Sequence, residues 1–140
     1  MMANNNGSSV STSIHYKLLS AFLAFLMWGG WAFFINAGHG MKTQIISSLG
    51  QGTASFIITL FMIRLVTYIF HKLPEVKMLR LLIPAVLTVG LTGTCLVAMH
   101  ICIGTPNIAS TVAPALSVAF LFCVYTSFKI NKIKMETVYE

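Results

Sequence analysis

Four long apolar stretches separated by short polar breaks set the pattern of this chain: residues 18–36, 44–70, 81–103 and 108–128. A helix needs about 20 apolar residues to cross the hydrocarbon layer of a bilayer, so each stretch predicts one transmembrane helix. The breaks Ala37 to Thr43 (AGHGMKT) and Gly104 to Asn107 (GTPN) are short, and helices joined so closely pack as antiparallel neighbours. The predicted fold is therefore an all-α integral membrane protein of four transmembrane helices arranged as two antiparallel hairpins. Met1 to Ser13 is rich in Asn and Ser, and residues 1–15 are expected to form a disordered polar tail, because they lack the large side chains that packing needs. Residues 16–128 form the transmembrane domain, and 129–140 a basic tail. The first apolar stretch is too long for a signal peptide, and Ile35 spoils the small-residue site before Ala37, so it reads as a retained helix.

Composition agrees with the pattern. The chain is 56% hydrophobic and 9% charged, with a mean hydropathy of +0.83, whereas a soluble domain has about a quarter of its residues charged. Charge adds orientation. Lys17, Lys72, Lys77, Arg80, Lys129, Lys132 and Lys134 lie in three segments that the alternation of spans brings to one membrane face. Arg64 belongs to the inner end of the second span, and its long side chain is expected to snorkel to that face. Lys42 alone falls on the other. Positive segments stay on the cytoplasmic side, which predicts both termini inside a multi-pass cell membrane, with a bacterial inner membrane the expected setting. The basic residues flank spans and are not interleaved with aromatic side chains on one surface, so membrane lipids rather than nucleic acid are the partners they imply.

The least ordinary segment is SSLGQGTAS in the second span. At helical spacing Ser48, Gln51, Gly52, Ser55 and Thr59 form a small, weakly polar stripe that lipid does not favour. Thr88 and Thr92 offer a matching surface on the third span, and Pro114 in the fourth should kink that helix or free a carbonyl. Two readings fit: packing of helices through small residues, or a polar groove open to the outer leaflet.

Trp28, Trp31, Asn36, His39, Lys42, Gln51, His100, Thr105 and Asn107 gather near the outer boundary. Trp28 and Trp31 lie about 60° apart on a helix and read as interface anchors. His39, Lys42 and His100 are donors with no carboxylate on their side, and with Gln51 and Asn107 they make a candidate site for an anionic headgroup. Two histidines without a supporting carboxylate or cysteine cluster fall short of a metal site, and no cofactor is implied. Cys95, Cys102 and Cys123 read as small buried apolar residues.

The three acidic residues, Glu75, Glu136 and Glu140, all lie at the inner side. A four-helix drug/proton antiporter needs an ionisable relay inside the membrane, and acid/base or nucleophilic catalysis needs paired groups; neither pattern is present. The expected function is non-enzymatic, a transport or translocation component for a lipid or lipid-linked anion that assembles as a homo-oligomer or with a partner membrane protein. The alternative is a non-catalytic subunit or assembly factor that packs against a larger membrane complex.

Overall fold

A computed structural model describes residues 14–139. They form α1 (Ile14–Ile35), α2 (Met41–Lys72), α3 (Lys77–Cys102) and α4 (Ile108–Val138), with a 3-10 turn at Ala37–His39, and no strand occurs among them. All four helices are long and apolar enough to cross a membrane, as a multi-pass membrane protein requires. With 32 residues in α2 and 31 in α4, each rising 1.5 Å, these two helices span about 45 Å or more. That is longer than one crossing of a hydrocarbon layer of about 30 Å needs.

Three boundaries differ from the sequence expectation. Of the polar tail predicted for 1–15, only Ile14 and His15 lie within the described residues, and both belong to α1. Of the basic tail expected at 129–140, the part up to Val138 continues α4 without a break. No Pro or Gly interrupts Lys129 to Val138, and Lys134 pairs with Glu75 in the α2–α3 connection. α3 starts at Lys77 rather than Leu81. Pro84, expected in the first turn, therefore sits about two turns inside the helix, where its ring deprives the Arg80 carbonyl of an amide partner.

Helix α2 shares the broadest seam with α1 and, like α4, touches the other three helices, while α1 and α3 do not meet. The α1–α2 seam is closed through small residues. A Cβ at Gly52 would stand 3.0 Å from the Phe25 ring and the Phe25 carbonyl, and one at Gly29 would stand 3.1 Å from the Ser48 carbonyl. Close backbone approach is what small residues supply in membrane helices, where lipid is as apolar as the core. A compact core of Met62, Val66, Ala85 and Cys123 joins α2, α3 and α4, with Phe120 and Val89 packed against it. Large apolar side chains such as Phe22, Phe61, Leu91 and Leu121 are each more than half exposed. Such a surface is a liability in water and suits a hydrocarbon environment.

At the basic end Arg80 organises the α2–α3 connection. Its guanidinium donates to the Leu73 carbonyl from Nε at 3.2 Å and Nη2 at 3.0 Å, and stands 5.4 Å over the Phe70 ring. The C-terminal end of α2 thus receives a cation against its free carbonyls, the sign its dipole favours.

Candidate functional site

The opposite end of the bundle holds two adjoining polar networks, and the short α3–α4 connection closes both. In the first, His100 is fully buried. Its Nε2 lies 2.6 Å from Gln51 Oε1 and its Nδ1 2.7 Å from Thr105 Oγ1, and Thr105 Oγ1 is 3.0 Å from Ser47 Oγ. An amide oxygen can only accept, so Nε2 carries the proton and donates to Gln51. The result is a continuous chain of side chains, Ser47, Thr105, His100 and Gln51. It ends on an amide whose Nε2 is buried and has no partner.

In the second network Asn36, also fully buried, donates from Nδ2 to the Ala32 carbonyl at 2.8 Å and to Thr111 Oγ1 at 3.1 Å. Its Oδ1 accepts the Asn107 backbone amide at 3.2 Å. Asn107 Nδ2 donates to the Ile35 carbonyl at 3.0 Å and to His39 Nε2 at 3.2 Å. Thr111 completes the ring by donating to the Asn107 carbonyl at 2.6 Å. Thr105 and Asn107, two residues apart in the connection, therefore act as two plugs. One is seated between α2 and α3, the other against the end of α1.

The backbone allows this seating through Gly104 at φ +71° and Gly40 at φ +88°, a region that L side chains enter only at a cost. Around the rim His39 and Lys42 are exposed. Among the described residues the ion pairs all involve Glu75 at the far end, so Lys42 has no counter-charge nearby.

Trp31 and Pro114 meet in one interaction. The ring of Pro114 leaves the carbonyl of Ser110 without its helical amide, and that oxygen accepts the Trp31 indole N–H at 3.0 Å. Trp31 thereby ties α1 to α4, while Trp28 is half-buried on α1.

Of the candidate site residues, the structure brings Gln51 together with His100, and Asn107 together with His39; Lys42 stands at the rim. The remaining stripe residues serve the packing of the bundle. Ser48 and Gly52 lie in the α1–α2 seam, and Ser55 and Thr88 are buried. Thr59 and Thr92 spend their hydroxyls on the carbonyls of Ser55 and Thr88 in their own helices, at 2.7 and 2.8 Å. Arg64 is exposed about two turns from the end of α2. Cys95 and Cys102, expected to be buried, are exposed on α3, and only Cys123 is buried. Thr111 and the pairing role of Ser47 were not legible beforehand. A Thr at the first turn of a span carries no distinguishing signal until Asn36 is seen across from it.

No known protein family, characterised protein or solved structure matches this chain.

Proposed function

We propose that this protein is a non-enzymatic transport or translocation component that receives the headgroup of a lipid or lipid-linked anion at the end carrying His39 and Lys42. One observation carries the reading: the amide nitrogen of Gln51 is buried without an acceptor, at the end of the bundle where His39 and Lys42 are exposed and where no carboxylate lies among the described residues. A buried orphan donor costs about 1–3 kcal/mol, and an anionic oxygen is the acceptor that would satisfy it best. The site as described is closed, so entry requires the 104–107 connection to lift, withdrawing Thr105 from His100 and Asn107 from Asn36. His39 and Lys42 would meet the headgroup first, and Gln51 and His100 would hold it next. In this reading the site opens toward the outer leaflet and both termini lie in the cytoplasm, as the positive-inside distribution of lysine and arginine supports.

The test is transbilayer movement of a fluorescent anionic lipid in reconstituted vesicles. His39→Ala, Lys42→Ala and His100→Leu should each slow it several-fold while insertion and yield stay at the wild-type level. Wild-type rates in all three variants would end the reading.

Gly90 favours a second reading, a subunit that packs against a larger membrane complex. A Cβ there meets nothing within 4 Å, and Thr94 and Ala98 continue an exposed strip of small residues on the same face of α3. Gly50, Gly52 and Gly93 instead face Met99, Phe25 and Leu116 of this same chain, so bulky substitutions there report on its own packing. Gly90→Leu that leaves the protein folded but releases a co-purifying membrane protein supports the subunit reading; unchanged co-purification counts against it.

A further inference from the structure

The basic end holds a cleft of about 480 Å³ between the first turn of α3 and the last turns of α4. It exists because α4 continues past Phe128 as a helix and carries its lysines alongside α3. Its lining is cationic on both sides, with Lys77 and Arg80 from α3 and Lys132 and Lys134 from α4, while Phe128 and Met135 supply apolar surface. Glu75 is the one acid in the lining. It is already engaged, since Arg80 and Lys134 both pair with it. Arg80 is further held by the Leu73 carbonyl, so it contributes field rather than a free donor. Lys77 and Lys132 are left with no ion pair among the described residues.

Cations alone would suit any soluble anion. The apolar floor narrows the choice, because Phe128 and Met135 are each 51% exposed within the lining and Phe128 stands at the margin of the apolar part of α4. A ligand that covers both surfaces is anionic at one end and hydrocarbon at the other. Its depth, where the apolar part of the helix gives way to lysines, is that of a phosphate layer.

We infer that this cleft binds the phosphate headgroup of an anionic membrane lipid, with Lys77 and Lys132 on the phosphate oxygens and the start of the acyl chains against Phe128 and Met135. The site is distinct from the one at the opposite end. Occupancy would brace the α4 extension against the α2–α3 connection, adding a ligand to the bridge that Glu75 already makes.

The experiment uses the full chain in mild detergent, in a Lys42→Ala background that keeps opposite-end binding out of the readout. Short-chain phosphatidylglycerol is titrated and bound lipid counted by native mass spectrometry. Phosphatidylcholine of the same chain length and inorganic phosphate, read by competition, serve as comparisons. Lys77→Ala and Lys132→Ala should each weaken phosphatidylglycerol binding about fivefold, and together roughly thirtyfold. Lys17→Ala with Lys129→Ala, which removes equal charge at the same end outside the cleft, should leave it unchanged. Equal losses from that control pair would reduce the site to diffuse surface charge and overturn the proposal. So would phosphatidylcholine binding as tightly, or inorganic phosphate competing at the same concentration as the lipid, the latter marking a site for a free anion.

Discussion

Replacing both Gln51 and His100 with leucine should cost less stability than replacing either one. Gln51→Leu leaves the His100 Nε2–H buried without an acceptor, since the 2.6 Å bond to the amide oxygen is its sole interaction on that nitrogen. His100→Leu strands the same amide completely, because its nitrogen already lacks a partner. An unsatisfied buried group costs about 1–3 kcal/mol in general, and polar pairs between membrane helices average about 0.6 kcal/mol with a maximum near 1.7. Each single variant should therefore lose about 1–2 kcal/mol. The double variant removes donor, acceptor and the pre-existing orphan together, and Thr105 keeps its 3.0 Å bond to Ser47. Its stability should fall within about 0.5 kcal/mol of wild type or exceed it, giving a coupling energy of about 1.5–4 kcal/mol. Equilibrium unfolding by a denaturing detergent in mixed micelles measures all three. Losses that simply add in the double variant would refute the reasoning, because they would mean that His100 and Gln51 are held by packing and not by each other. The same double variant should be inactive in lipid movement despite its stability, which separates a site from a structural bond.

Three further outcomes follow from the geometry. Trp31→Phe should cost about 1 kcal/mol in the native chain and close to nothing in a Pro114→Ala background, where Ser110 regains a helical amide; detergent unfolding of the four proteins reads the difference. Gly52→Ala should destabilise by about 1–3 kcal/mol, because its methyl would stand 3.0 Å from both the ring and the backbone of Phe25, and thermal unfolding should show it. The Glu75 carboxyl is held below its ordinary value of 4.5, first by the Lys134 hydrogen bond and charge and then by Arg80. Its bridge to α4 is therefore complete above that value and is lost as pH falls through the lower folded-state pKa. Spin labels on Val76→Cys and Thr137→Cys, in a chain with Cys95, Cys102 and Cys123 replaced, should give a narrow distance distribution at about pH 7 that broadens in acid, and a broad one at every pH in Glu75→Gln.

The four helices were legible because twenty-residue apolar stretches have few alternatives, and the gathering of basic segments at one end of the bundle was legible because successive helices alternate in direction. Helix ends were less so: Pro74 marks the stop of α2, but the apolar pattern alone does not show that α3 already starts at Lys77 or that α4 continues through its lysines to Val138. The stripe in SSLGQGTAS was visible as a stripe. Its division between a seam toward α1 and a buried cluster toward α3 was not, because helical periodicity gives faces without naming neighbours. Gln51 and His100 were drawn to the same end by span position alone. That they touch follows from Thr105 and Asn107 folding the connection inward, which four loop residues cannot announce. Pro114 foretold a free carbonyl; the indole that takes it came from a helix 79 positions away.

Whether the 104–107 connection must lift for lipid to enter is decided by locking it. Ser47 Oγ and Thr105 Oγ1 are 3.0 Å apart, so Ser47→Cys with Thr105→Cys, in a chain with Cys95, Cys102 and Cys123 replaced, places two thiols within reach of a disulfide. Oxidised vesicles should show no protein-dependent movement of the anionic lipid, and reduction should restore it. Full movement with the disulfide closed would contradict the gate and the buried Gln51–His100 site behind it.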